Sequence, residues 1–483
     1  MDITRLYFGR SAAEREVGSN PERFLQTYLD HWNLASEITD HEKFLILGPK
    51  GAGKSAAAYF VELSWKRRLG ESSVFSTSVD FDELNRSQSP LAAIDKKLVA
   101  GEVSFLTDSA WKLFIGIRLL DSLISDPACS LGHDSQVLQL VTELRAAGLA
   151  SDDYPQVLRR VRERRATFKI PIAAFDQGSK DSDTIGPVQL GDAIINLITQ
   201  AETPNRHLLA IDGLDKAIGE NDAYWRTLAA LIRVGDSICR RLLLRNNRNV
   251  YLMIMCRSDV FRRANFTDAP KVAADSGIHM EWGAELQDSR QPLLWDYLAA
   301  KAQVDREQIF ALLPDRISTG HHYSSDMPKY LLNFTRYTPR DMTELFRSIQ
   351  RHANTHRRVT SDQVRAGADS FARNHLLHEI ISESVGLVPE IVTRKLEQLI
   401  NALPSVTFTK DDLVQAMTES DMTGRISVGD LGEYLFLQGA IGNYRLNQGY
   451  VQFYHRRNTA GFDSRGPWKL HTGLAYALNI PFS

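Results

Sequence analysis

Residues 44–59 read FLILGPKGAGKSAAAY. Phe44 to Leu47 is a short apolar run that ends at a glycine, the pattern of a strand buried in a parallel sheet. Gly48-Pro49-Lys50-Gly51-Ala52-Gly53-Lys54-Ser55 then fits G-x-x-x-x-G-K-S at every fixed position, and Ala56 to Ala58 open a run of strong helix formers. Strand, glycine loop and helix in that order make a phosphate cradle. Glycine lets the backbone turn with positive φ and approach an anion closely. The N–H groups of the loop and the start of the helix supply partial positive charge. Lys54 would reach the β- and γ-oxygens, and the Ser55 hydroxyl would ligate Mg2+. The expected ligand is therefore ATP with Mg2+, held by Gly48 through Ala56.

The second half of such a site needs a carboxylate at the end of another strand. His207 to Ile211 (HLLAI) is apolar and is followed by Asp212-Gly213-Leu214-Asp215-Lys216. Asp212 is placed to complete the Mg2+ shell. Asp215, three residues on, would orient or deprotonate the attacking water, or else cap a helix that begins just after it. Three further runs complete an expected parallel sheet of five strands: Ser73 to Val79, rich in β-branched and aromatic residues and followed by Asp80 to Asn85 where a nucleotide would sit, Asn249 to Cys256, and Ile278 to Trp282 as an edge. Arg257 follows the fourth run directly. It suits sensing of a γ-phosphate, and it equally suits an ion pair with Asp259 or another carboxylate. Arg262 and Arg263, a few residues on, suit an arginine finger or a plain surface.

The rest of the chain reads as helices around this core. A helical insertion is expected at about 84–200, with Trp111 to Ile124 strongly apolar at helical spacing. Within it, Arg159, Arg160, Arg162, Arg164 and Arg165 suit either a phosphate backbone or a solvated helix face balanced by Asp152, Asp153 and Glu163. From Ser289 to Phe371 several short-linked helical patterns suggest a small bundle, a lid. There Thr338-Pro339-Arg340-Asp341 begins a helix, and Arg340 suits contact with a γ-phosphate or ordinary helix-start chemistry. Beyond His375, three helices (390–403, 409–418, 428–438) precede two short strands around Asn447-Gln448-Gly449, the order of a winged helix. The segment after the wing, Tyr454-His455-Arg456-Arg457, is basic and suits phosphates, but the candidate reading helix carries Asp430 and Glu433 and no Lys or Arg, which favours protein contact over DNA. Near the N-terminus, Phe8-Gly9-Arg10 suits either closure over an adenine or a segment packed on the nucleotide domain.

The expected architecture is thus α/β: a P-loop core over 1–288 with its insertion, a helical lid over 289–374, and a winged-helix-like region over 375–483. With 483 residues and 43% hydrophobic composition, the chain has ample material for more than one core. Its net charge of -2 excludes a whole-molecule basic field for nucleic acid. Three widely spaced cysteines fit no metal pattern and read as reduced thiols of a cytoplasmic protein. The first residues lack the long apolar core of a signal peptide, and no apolar run reaches the roughly 18 residues of a membrane span.

GPKGAGKS with the downstream IDGLD resembles the STAND class of P-loop ATPases, including the NACHT group, in which the second motif is commonly D-G-L-D-E. Here Lys216 stands in place of the final acid, which leaves Asp215 as the near candidate for polarising water. The layout of core, lid and winged helix is also similar to that of origin-recognition-type AAA+ proteins. More closely, the F-G-x-x-x-A-E-x-E start, K-G-x-G-K-S, D-G-L-D, R-x-D-V-F, T-P-R-D-M and the late L-Q-G-A-I-G-N look like a poorly characterised group of bacterial P-loop ATPases. That resemblance implies a regulatory ATPase, with antiphage defence as one setting. The partner classes are a protein effector on another chain, a second copy of this chain, or duplex DNA for a motor or loader. No nuclease, protease or TIR-like constellation is evident in the sequence.

Overall fold

The apolar run before the loop forms strand β1 (Leu45–Gly48) in the computed structural model of the chain, which describes residues 2–40, 43–80, 100–150, 154–163, 168–169, 184–214, 222–264, 266–283, 288–320, 323–354, 358–456 and 460–482. Four more strands join it: β2 (Val74–Asp80), β3 (Arg206–Asp212), β4 (Val250–Arg257) and β5 (Gly277–His279). All pairings are parallel and the sheet order is β2-β3-β4-β1-β5. β1 and β4 are buried along their whole length, as a parallel sheet covered on both faces requires. The fifth strand stops at His279 rather than running on to Trp282.

Two compact units divide the chain. The first holds residues 30–48 and 54–280, with this sheet at its centre. Helix α1 (Lys54–Leu69) follows the loop and buries Ala57, Ala58, Val61 and Trp65. The insertion is built on α2 (Ala100–Ile124), which packs on α3 (Pro187–Thr199) where Gly191 lets the two backbones meet; a Cβ there would sit 2.9 Å from the Leu113 nitrogen. Helix α4 (Asp222–Leu244) presses on the sheet at Gly235, where a Cβ would fall 2.7 Å from Ile254 and 2.9 Å from Phe44. Trp111 of α2 donates its indole N–H to the Thr227 carbonyl of α4 at 2.9 Å. At the amino edge of the sheet, Asp126 accepts from Thr203 at 2.5 Å and Asn205 at 2.8 Å, and His207 lies between Asp126 at 3.3 Å and Ser122 at 2.8 Å. The Asp126 carboxylate is filled by these donors, so the group reads as a brace between insertion and sheet. In the helix Tyr154–Glu163 the valines and Leu158 are buried while Arg159 and Arg160 are exposed, the arrangement of a solvated basic face; Arg164 and Arg165 lie outside the described residues.

The second unit holds residues 1–29, 49–53 and 281–483. Its bundle includes α5 (Leu294–Ala302) and α6 (Pro339–His352), with Trp295, Phe310 and Phe346 in contact. The N-terminal segment packs on this bundle. Phe8 is 1% exposed, lies 5.2 Å from the Phe346 ring, and its carbonyl accepts from Thr343 at 2.9 Å. Lys301 and Glu16 form a buried ion pair at 2.6 Å. The helix Ser361–Phe371 passes through a π-helical turn at Ala372–Leu376 into α7 (Leu377–Glu383), so helical backbone runs unbroken across residues 374 and 375.

Three helices follow, α8 (Glu390–Asn401), α9 (Lys410–Glu419) and α10 (Val428–Leu437). Their sheet is antiparallel: β6 (Thr407–Phe408), β7 (Ile441–Arg445), β8 (Tyr450–Gln452) and β9 (Trp468–Leu470), in the order β6-β9-β7-β8. This is a winged-helix arrangement, with β7 and β8 as the wing and Gly449 turning it at φ +60°. The final helix α11 (Thr472–Leu478) packs back on the π turn and on α6's neighbour helix Met327–Phe334 through Phe334 and Tyr476.

His471 anchors α11. Its Nε2–H donates to the Thr335 carbonyl at 3.1 Å, and its Nδ1 accepts from the Gly473 N–H at 3.1 Å. That pairing needs the neutral ring. Burial pushes its pKa down to about 4, outweighing the Thr335 bond. A histidine whose folded pKa is depressed costs stability as pH falls from its unfolded value near 6.5 to the folded one, and nothing more below that. Unfolding free energy should therefore drop by about 3 kcal/mol between pH 7 and pH 4 from this group alone. His471→Asn, which keeps an N-cap acceptor, should flatten that slope in denaturant titrations at pH 7 and pH 5.

Candidate functional site

The carboxyl edge of the parallel sheet brings the predicted residues of the first unit together. Register sets Gly48 beside Arg257, and Asp212 beside Asp80. Across that edge run Asp80, Asp212, Arg257 and Gly48 on neighbouring strands, the place where α/β sheets bind ligands. The Ser55 hydroxyl donates to Asp212 Oδ2 at 2.5 Å, and Asp212 Oδ1 accepts from the Gly213 N–H at 2.8 Å. A hydroxyl and a carboxylate in direct contact at the start of α1 form a pair of hard oxygen donors. This suits Mg2+, which takes few protein ligands and keeps its waters. Asp80, expected at the nucleotide-facing end of the second strand, ends the adjoining strand and is exposed there. Lys54 Nζ lies 3.1 Å from the Gly48 carbonyl. Asp215, assigned to the attacking water, falls outside the described residues.

Arg257 ends β4 and precedes the helix Ser258–Arg263. It is 4% exposed and its guanidinium grips Asp259 with two bonds, Nε to Oδ1 at 3.0 Å and Nη2 to Oδ2 at 2.7 Å. Of its two readings, the ion pair is thus present. Arg262 and Arg263 are exposed in the last turn of that helix.

The tip of the loop, Pro49 to Gly53, groups with the second unit. Gly51 and Gly53 have φ of +82° and +97°, and the Ala52 N–H closes a turn on the Pro49 carbonyl at 3.2 Å. Helix α6 begins against this tip. Thr338 caps it, accepting from the Asp341 N–H at 3.2 Å, and the Arg340 N–H donates to the Gly51 carbonyl at 3.3 Å. Trp282 donates its indole N–H to the Ala52 carbonyl at 2.8 Å. Arg340 therefore sits on the loop and also does helix-start work. Its guanidinium reaches Glu379 at 3.3 Å, and Lys50 reaches the same Glu379 oxygen at 3.3 Å. Glu379 and Trp282 were not foreseen as site residues. No motif marks them; only the fold brings residue 379 to residue 50.

Behind these lies a buried charge cluster. Arg336 donates to both oxygens of Glu383 at 3.0 Å and, through its backbone N–H at 2.9 Å, to Asp341. Burial alone would push the Asp341 carboxyl up; Arg336 beside it, with His375, outweighs this and holds it well below the usual carboxylate range.

No family model and no curated protein matches this sequence. Among solved structures, the ORC1 protein of Aeropyrum pernix in complex with DNA aligns over 94% of each chain at 12% identity with a TM-score of 0.39. A likeness at that level carries no argument about this chain.

The basic segment after the wing turns inward. Tyr454–Arg456 is a short 3-10 turn, and Arg456 donates to Asn333 at 2.8 Å with its guanidinium 4.9 Å from the Phe453 ring centre. Arg456 is thus half-buried and tied to its own unit by a hydrogen bond and a cation–π contact. Arg457 is outside the described residues. No helix among the described residues is long and apolar enough to cross a membrane.

Proposed function

We propose that this chain binds MgATP and hydrolyses it slowly, and that nucleotide state controls a protein partner or assembly with further copies. The observation that carries the reading is the contact of Ser55 with Asp212 at the carboxyl edge of the sheet, directly after a complete G-x-x-x-x-G-K-S loop. In this reading Lys54 and the N–H groups of the loop hold the phosphates, Ser55 and Asp212 take Mg2+, and Asp215 positions water. Arg257 would exchange its Asp259 partner for the γ-phosphate, and Arg340 would report the same group to the lid. A role in antiphage defence follows from sequence resemblance alone and belongs to the proposal.

The DNA motor or loader alternative has less behind it. Helix α10 presents Asp430 and Glu433, both exposed, and half-buried Arg456 is bonded to Asn333. The deciding experiment is steady-state ATP turnover by the purified chain, with and without duplex DNA, beside Lys54→Ala. Slow turnover, unmoved by DNA and lowered roughly tenfold or more by Lys54→Ala, is the expected result. Turnover that DNA raises severalfold, with a steep salt dependence, would establish the alternative. Turnover equal in the wild type and Lys54→Ala would overturn the reading.

A further inference from the structure

We propose that Glu379 on α7 is an internal counter-anion which the phosphates of a bound nucleotide displace, so that nucleotide binding releases the helix leading into the winged-helix region. The inference rests on the MgATP reading above and specifies how that site is regulated.

The π turn at Ala372–Leu376 inserts an extra residue into the helical run and rotates the succeeding turns by roughly 100°. Those turns carry Glu379, Ser382 and Glu383 on one side, at the i, i+3, i+4 spacing of a shared helix face. All three converge on Lys50 of the phosphate loop. Lys50 Nζ lies 3.3 Å from Glu379, 3.9 Å from Glu383 and 3.2 Å from the Ser382 hydroxyl. Arg340 shares the same Glu379 oxygen, and its own N–H holds the Gly51 carbonyl. One carboxylate therefore neutralises two cations, Lys50 on the loop and Arg340 at the start of α6 against it.

The carboxylate is not a passing surface contact. Glu379 is 22% exposed, Lys50 24% and Arg340 28% along their side chains, so these pairs are partly shielded from water. Burial pushes the Glu379 carboxyl up, but Lys50, Arg340, Arg336 and His375 outweigh this and leave it below its ordinary value. The helix that bears it is fixed one turn away, where Glu383 takes both bonds from buried Arg336. Glu379 is thus an ionised group held against the loop by its scaffold.

A triphosphate on this loop brings several negative charges to the cations that Glu379 already neutralises. Two anions then compete for Lys50 and Arg340, and by linkage each weakens the other's hold. Nucleotide entry frees Glu379, and α7 loses its tie to the loop while Glu383 keeps its tie to Arg336. Helix α8, the first of the winged-helix region, begins seven residues beyond α7. The coupling thereby passes from phosphate charge to the C-terminal region through named side chains.

The test uses the full chain, calorimetric titration with MgATP and with AMP, and hydrogen exchange over residues 377–383. Glu379→Gln removes the competing charge and keeps the shape. It should tighten MgATP binding on the order of tenfold and leave AMP, which lacks the outer phosphates, unchanged. MgATP should raise exchange over 377–383 in the wild type, and Lys50→Met should raise it without nucleotide. Unchanged MgATP affinity in Glu379→Gln, or exchange over 377–383 that MgATP does not move, would overturn the inference while wild-type binding still upholds the nucleotide reading. A wild type that binds no MgATP, while its cooperative thermal unfolding shows it to be folded, would overturn both.

Discussion

Arg336→Met should destabilise the second unit by about 3–5 kcal/mol, because it strips the shared arginine from two buried carboxylates. Asp341 is fully buried and Glu383 is 4% exposed, and the Arg336 guanidinium bonds both, Nε to Asp341 at 3.3 Å and Nη1 to Glu383 at 3.0 Å. Methionine fills much of the volume, but its side chain offers no donor and only the backbone N–H bond to Asp341 remains. Lys50, at 3.9 Å from Glu383, is committed at shorter range to Glu379. Two carboxylates would then face low-dielectric surroundings without the arginine's compensation, and at least one would take up a proton. This gives the variant a pH signature. In the wild type Asp341 is depressed below its unfolded value near 4, so its contribution is complete above that pH and is lost as pH falls below it. In Arg336→Met the same carboxyl has its pKa raised, and its penalty is relieved by protonation on acidification. The stability gap between variant and wild type should be widest near pH 7 and narrow steadily toward pH 4. Urea unfolding at several pH values measures it; a gap that is small, or that does not change with pH, would mean that the cluster is solvated.

How much of this was legible beforehand depends on how local the signal is. Strands β1, β3 and β4 were readable because each is largely a buried apolar run, and β2 because it is rich in β-branched and aromatic residues. Helices α8, α9 and α10 were readable from apolar spacing and from Thr409 and Ser427, which cap two of them. The strand order was not readable, since β4 enters between β1 and β3 through contacts of the folded sheet. Strands β6 and β9, of two and three residues, are too short to show alternation. Ser55 and Asp212 were legible as a pair because each ends or begins an element that has a sequence signature. Glu379 was not, since a glutamate on an amphipathic helix looks the same whether it faces water or a loop lysine 329 positions away in sequence. Phe8 illustrates a third case. The sequence suited closure over an adenine or packing on the nucleotide domain, but Phe8 packs instead on Phe346 of the bundle, a partner that nothing near it in sequence names.

Gly51→Val should lower MgATP affinity on the order of a hundredfold while moving the melting temperature little. Gly51 holds φ at +82°, a region in which a β-branched residue is strained by roughly 1–3 kcal/mol. A Cβ there would also lie 3.1 Å from Arg340 Cβ and 3.2 Å from the Thr338 hydroxyl, closer than these neighbours accept without moving. Both neighbours begin α6 and Thr338 is its cap, so neither yields cheaply. The loop has an easier way out, since it can abandon the conformation that turns its N–H groups toward an anion. The cost then appears in binding: at about 1.4 kcal/mol per tenfold, a penalty near 3 kcal/mol leaves about one molecule in a hundred competent. Apparent affinity falls by that fraction, while the sheet, its helices and the lid keep their packing. Ala52→Gly, one residue on, introduces neither strain nor volume and serves as the control. A Gly51→Val protein that melts far earlier would mean that the loop cannot relax alone, and that its grip on α6 through the Gly51 carbonyl is part of what holds the second unit together.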